Sequence, residues 1–214
     1  MWVSTSWFEA NQHYRRVVSE IKQLSHSGDI QDHLIWRSAK SKIIEALAKR
    51  KNAPIYEYRL GRLYEYRAAD PYARDEQKIL DRDHALNYYD RVVRQRPTWT
   101  MGWASLAYLR ALSIPANSLA DSAYKTALKR AGHERRAQRL NMITGMIRWG
   151  FLDQLERINL TKEAHELMQD AREVNNLIST ATGMGWIDRL RPIAEDVLGV
   201  DNFNARLRRI NKRK

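Results

Sequence analysis

Residues 82–107 read RDHALNYYDRVVRQRPTWTMGWASLA, and this stretch decides the fold. Ala85, Tyr89 and Val92 follow one another at steps of four and three, the period of one face of an α-helix. Arg96-Pro97 then ends that helix, because proline pushes the residue before it out of helical backbone. Beyond the break Trp103, Leu106 and Ala107 resume the same period. The reading is two helices, over 82–95 and 99–113, joined by a short proline turn.

Working outward, nearly every segment carries the same period. Further helices are expected at 7–24, 31–51, 54–68, 116–131, 134–149, 161–180 and 186–198. Breaks are expected at Asn52-Ala53-Pro54, Asp70-Pro71, Ile114-Pro115, Gly132, Gly150, Gly183 to Gly185 and Gly199. The 214 residues hold only 9 glycines and 5 prolines, too few for the many turns of an all-β barrel or sandwich. With 43% hydrophobic residues the chain can bury a core, and the expected class is all-α. It has no cysteine, which excludes disulfides, zinc ribbons and thiol catalysis. No apolar run approaches the ~18 residues of a membrane span, and the first residues form no apolar signal-peptide core.

The charge is unbalanced. Lys and Arg number 37 against 25 Asp and Glu, a net +12. Arg206, Arg208, Arg209, Lys212, Arg213 and Lys214 supply half of that excess with no acid among them. Such a balance suits nucleic acid, an anionic membrane surface or an acidic polysaccharide, and equally a solvated tail with no partner.

The spacing repeats. Ala85, Tyr89, Val92 and Pro97 fall at the A-x3-F-x2-A-x4-P spacing that closes a tetratricopeptide repeat, and Leu60-Gly61 and Tyr64 match its L-G-x2-Y. Trp103, Leu106 and Ala107, then Ala120, Tyr124, Ala127 and Gly132, give a second set. The chain thus resembles tetratricopeptide-repeat proteins, in which antiparallel helix pairs stack as an α-solenoid. A plain helical bundle would explain the period but not two matched sets. The layout expected is N-terminal helices over 1–52, two repeats over 53–132, a degenerate repeat or cap over 133–202 and a basic tail over 203–214. About 12 extra residues near 68–80 read as an extended turn between the helices of the first repeat. Ala10, Tyr14 and Val17 echo the spacing weakly.

A narrower likeness covers about 56–150. Arg96-Pro97-Thr98-Trp99 and Gly102-Trp103-Ala104-Ser105-Leu106-Ala107, with Tyr124, Ala127, Gly145 and Trp149, resemble a segment of VpsP-type bacterial exopolysaccharide-biosynthesis accessory proteins. The tetratricopeptide tails of O-antigen polymerases and ligases are similar. Thr100 and Ala131-Gly132-His133-Glu134 depart from that pattern. The resemblance implies a scaffold on the periplasmic side of the inner membrane, with proteins of a polysaccharide synthesis or export assembly as partners. It also implies an N-terminal membrane helix ahead of Trp2 and Trp7; the other reading packs those tryptophans on the first helix.

Signals for chemistry are weak. His13, His26, His33, His84, His133 and His165 form no H-E-x-x-H or other ligand spacing. Asp81, Asp83 and His84 cluster where a helix was expected to start, which suits capping, as do Asp29 and Asp32. Gly183-Met184-Gly185 follows a helix rather than a strand and lacks the lysine of a phosphate loop. No G-x-S-x-G occurs. The expectation is a protein that is not an enzyme and takes no cofactor or metal.

Binding is the favoured reading. First helices of successive repeats line the concave face of such an array. Counted from the repeat starts, that face holds Tyr58, Arg62 and Tyr66, then Met101, Tyr108 and Leu112, then Arg136 and Arg139. Aromatic rings beside guanidinium groups suit peptides, sugars and nucleobases. The leading expectation is a helical-repeat adaptor contacting proteins, acidic polysaccharide or an anionic membrane surface. The alternative is a cytoplasmic nucleic-acid-binding repeat protein.

Overall fold

The structure, a computed structural model, describes residues 30–50, 52–130, 132 and 134–212. The expected helix at 7–24, with Trp2 and Trp7, lies outside these residues. Among those described, ten α-helices and one short 3-10 turn occur, with no strand. The chain is all-α. It divides into two compact units, one ending at Gly102 and the other running from Trp103.

The first unit contains α1 (Ile30–Lys49), α2 (Pro54–Ala68) and α3 (Asp75–Gln95). Asn52 has a φ of 61°, a left-handed conformation that asparagine tolerates, and Pro54 opens α2. The stop and restart read at Asn52-Ala53-Pro54 is therefore present. Helices α2 and α3 run antiparallel, because Glu57 bonds Gln95, Glu65 bonds Tyr89 and Arg67 bonds Asp81. At their crossing stands Gly61, where an added Cβ would lie 2.7 Å from the Tyr89 ring. Leu60, Tyr64, Ala85, Tyr89 and Val92 fill the interface and are buried. Helix α1 docks on α2 through Trp36, whose indole N–H donates to the Leu63 carbonyl at 3.0 Å and whose ring meets Tyr64 edge-on.

The extended turn expected near 68–80 is a correction. The connection is the short segment 69–74, and the remaining residues add turns to the front of α3. Asp75 and Glu76 favour that earlier start, since carboxylates stabilise the positive end of a helix dipole. Asp81, Asp83 and His84 consequently lie inside α3 and cap nothing.

The second unit begins within α4 (Thr100–Ser113) and continues with α5 (Ser118–Arg130) and α6 (Arg135–Ile147). A 3-10 turn (Trp149–Phe151) leads to α7 (Gln154–Met168), α8 (Ala171–Gly183), α9 (Ile187–Leu198) and α10 (Val200–Asn211). The single helix expected at 161–180 is two. Asp153 starts α7 with a capping box to Glu156, and Asp170 caps α8 by accepting from the Arg172 amide at 2.9 Å. Neither glycine nor proline marks that break, so the breaker signals missed it. The segment read as a basic tail is largely α10, held to the unit by the fully buried Phe203. Gly199, with a φ of 77°, is the one residue between α9 and α10.

Alternate helices share a pattern. Ala85, Tyr89 and Val92 on α3, and Ala120, Tyr124 and Ala127 on α5, are buried at the expected spacing. Leu160, Ala164 and Leu167 on α7 repeat it, as do Leu190 and Ala194 on α9 with the half-buried Val197. The large and small positions are exchanged in these last two helices, which hid them from a search keyed to alanine and aromatic residues. Gly145 of α6 fits between the Tyr124 hydroxyl and Leu160, where an added Cβ would lie 2.7 Å from Leu160 Cδ2.

These close approaches predict a sharp contrast among glycines. Gly61→Ala and Gly145→Ala should each destabilise the fold by about 1–3 kcal/mol through overpacking. Gly183→Ala, where an added Cβ would meet nothing within 4 Å, should be neutral or stabilising by up to about 1 kcal/mol. Urea denaturation of the three variants checks this.

Candidate functional site

Tyr58, Arg62 and Tyr66 stand one turn apart on one face of α2, as the sequence reading placed them. The structure shows what holds them. Arg62 donates to Glu65 Oε1 at 2.5 Å and to the Tyr66 hydroxyl at 2.9 Å, with its guanidinium 4.8 Å from the Tyr66 ring centre. Tyr89, rising from α3, donates its hydroxyl to Glu65 Oε2 at 2.5 Å. Burial works to lower the Arg62 pKa, but Glu65 and the surrounding phenols outweigh it, so the group stays charged and its pKa is raised. Burial, then the adjacent Glu65 carboxylate, pushes the Tyr89 phenol well above its ordinary value. Tyr58 is wedged between the Tyr89 ring at 5.5 Å and the Trp99 ring at 4.8 Å, and Arg96 covers Trp99. This face is a set of rings fixed in orientation around one paired guanidinium.

Met101 is half-buried at the start of α4. In the second unit Tyr108 and Leu112 are half-buried on α4, one turn apart. Arg136 is exposed in the first turn of α6, whereas Arg139 pairs with Glu173 of α8 at 2.9 Å. The expected residues thus fall as one trio on α2, Met101 at the start of α4 with Tyr108 and Leu112 further along it, and a pair on α6.

Two polar clusters were not anticipated. In the first unit Arg67 lies over the Trp36 ring at 3.7 Å and grips Asp81 with both prongs of its guanidinium, Nε to Oδ2 at 2.6 Å. Gln77 adds a bond to Asp81 at 3.1 Å, and the carboxylate is completely buried. Beside it Tyr64 contacts His84 at 4.8 Å and Tyr88 at 5.8 Å, with the Lys40 ammonium 5.3 Å from the Tyr64 ring centre. Only the packing of α1 and α3 against α2 brings these groups together, so nothing local in the sequence announces them.

In the second unit Arg148 is 2% exposed. It donates to the Pro115 carbonyl at 2.8 Å and to Asp121 at 2.7 Å, which ties the α4–α5 turn to the end of α6. Its Nε and both polar atoms of the buried Asn141 have no protein hydrogen-bond partner. Glu163 of α7 is pushed up to about 7, by burial first and by the Glu166 carboxylate second. Burial raises the Tyr124 phenol, and Glu163 and Glu156 raise it further.

Among the described residues no group of three His, Asp or Glu side chains could hold a metal ion. None of their helices is long and apolar enough to cross a membrane. Comparison with protein-family models, with characterised proteins and with solved structures finds no match for this chain.

Two predictions follow from the buried charges. Removing Asp81 leaves the Arg67 guanidinium without its partner, so Asp81→Ala should cost about 3 kcal/mol. Asp83→Ala, at an exposed neighbouring position, should stay within about 0.5 kcal/mol, as paired chemical denaturations will show. Glu163 holds its proton more tightly folded than unfolded. Its contribution to stability is therefore greatest at low pH and is lost as pH rises from about 4.5 to about 7. Glu163→Gln should be more stable than the wild type at pH ~8 by on the order of 2 kcal/mol, with the gap closing by pH ~4. Melting curves across that range measure it.

Proposed function

We propose that this chain is a non-enzymatic adaptor of tetratricopeptide type that works in the assembly or export of a bacterial cell-surface polysaccharide. The observation that carries the repeat reading is the inward triad at steps of four and three on α3, α5, α7 and α9, buried throughout except for the half-buried Val197. Within the second unit, moreover, helices pack on both their next and their second-next neighbours, from α6 through α10. That adjacency is what stacked helix pairs produce.

The polysaccharide context is supported by the segment from Arg96 to Ala107. That segment resembles VpsP-type accessory proteins, and within the first unit its residues pack closely. Arg96 lies 5.1 Å over Trp99, Trp99 packs on Tyr58, and a Cβ at Gly102 would come within 3.1 Å of Val92. In this reading the rigid ring face of α2 is presented to a partner protein of the synthesis or export assembly on the periplasmic side of the inner membrane. Tyr66, half-buried and oriented by Arg62, offers an apolar body and a hydroxyl at low ordering cost. That combination recurs at protein interfaces.

A photo-crosslinking amino acid at Tyr66, expressed in the native host, tests the proposal. The expected product is an adduct with an inner-membrane component of a polysaccharide synthesis or export machine. The same group at the exposed Asn87 of α3 should give none. Adducts confined to RNA or to cytoplasmic RNA-binding proteins would replace the adaptor reading with the nucleic-acid one.

A further inference from the structure

Alternate helices α6, α8 and α10 of the second unit form one layer, and two side-chain bonds stitch it. Arg139 of α6 reaches Glu173 of α8 at 2.9 Å, and Arg206 of α10 reaches Asn175 of α8 at 2.8 Å. On α8 the side chains Val174, Leu177, Ile178 and Ala181 are buried. The helical period places Arg172, Asn176 and Ser179 on the opposite side, and all three are exposed. Glu173 and Asn175 flank that strip, facing α6 and α10, so Arg172 stands in the middle of the layer's outer surface.

Each of the three helices offers that surface a guanidinium. Arg136 of α6, Arg172 of α8 and Arg209 of α10 are exposed, and none makes a side-chain hydrogen bond or ion pair among the described residues. Two of them sit where local electrostatics opposes them. Arg135 and Arg136 occupy the first turn of α6, which contains no acid, and Arg172 occupies the first turn of α8. A cation there adds to the positive end of the helix dipole instead of offsetting it. Such local conflict marks positions kept for something other than stability. Nearby acids compensate little: Glu173 is taken by Arg139 and Asp170 by the α8 cap, while Glu134 and Asp201 stand at the starts of α6 and α10.

We infer that this row of Arg136, Arg172 and Arg209 binds an extended carboxylated polysaccharide, one guanidinium fork to each of several carboxylates along the chain. Fork-shaped guanidinium groups match carboxylates with paired bonds. The exposed amide of Asn176, and the NH2 of Asn202 (whose Oδ1 accepts from Arg206 at 3.2 Å), add hydroxyl recognition between them. Other polyanions fit less well. The sole aromatic residue on these helices is Phe203, fully buried, so there is no platform on which nucleobases could stack. Val200, 54% exposed, is the single exposed large apolar side chain on them, so the layer has no apolar stripe to enter a bilayer. The choice of a glycan over other polyanions leans on the adaptor reading above, whereas the row of free arginines is independent of it.

The test compares the full chain with the triple variant Arg136→Gln, Arg172→Gln, Arg209→Gln, and with Lys129→Gln, Lys162→Gln as a charge control on exposed positions elsewhere. Probes are alginate (a uronate polymer), neutral dextran, single-stranded RNA and phosphatidylserine vesicles, at about 50 and 200 mM salt. Circular dichroism confirms that each variant is folded. Alginate should bind the wild type and the control, dextran neither, and the triple variant should lose at least about tenfold in affinity. No alginate binding, or alginate binding that the triple variant retains, overturns the inference. So does RNA or vesicle binding as tight as alginate's with the same arginine dependence. Crosslinking from Tyr66 does not use this row, so the adaptor reading stands or falls separately.

Discussion

Where α2 crosses α3, the backbone at Gly61 comes so near the Tyr89 ring that no side chain fits between them. Much of the first unit depends on this contact. It lets Tyr89 run past α2 and place its hydroxyl on Glu65, and Glu65 in turn holds Arg62 against Tyr66. The outward face of α2 is therefore oriented from the core, and its rings lose little freedom on meeting a partner. Gly145 plays the same part in the second unit, where Tyr124 and Leu160 close over it. Interiors packed to crystal density transmit such fits, since a change of one methyl is felt by every neighbour.

Buried polar groups do a different job. Arg67 with Asp81 joins α2 to α3, and Arg148 with Asp121 joins α6 to α5. Desolvating these charges costs much of what their attraction returns, so they add little net stability when intact. Their value is in choice of arrangement: sliding or swapping the helices would strand a charge in apolar surroundings. In the second unit the amide of Asn141 has no protein hydrogen-bond partner and burial raises the Glu163 carboxyl, so some polar groups inside it are left uncompensated.

The two candidate surfaces differ in physical character. On α2 the guanidinium is already satisfied by Glu65 and a phenol, leaving shape and ring area as the means of recognition. On the α6, α8 and α10 layer Arg136, Arg172 and Arg209 are unspent, leaving charge. The first suits a folded protein surface, the second an extended anion.

Helix content, most breaks and the buried triads of α3 and α5 were legible in the sequence, because period and breaker residues act over a few residues of chain. So was the trio on α2, whose members are separated by single helical turns. Exchange of large and small residues hid the triads of α7 and α9, since burial cares about summed volume and not about which helix contributes it. The break at Asp170 went unseen because a cap is a geometric bond rather than a composition. Asp81 read as a cap and proved a buried ion-pair partner; Arg139, read as lining the concave face, is paired with Glu173. In each case the deciding partner lies on another helix, 14 or 34 residues away. The sequence by itself determined which residues can form and face helices. Only tertiary packing decided which charges are spent inside the protein and which remain for a partner, because electrostatic partners are set by distance in space.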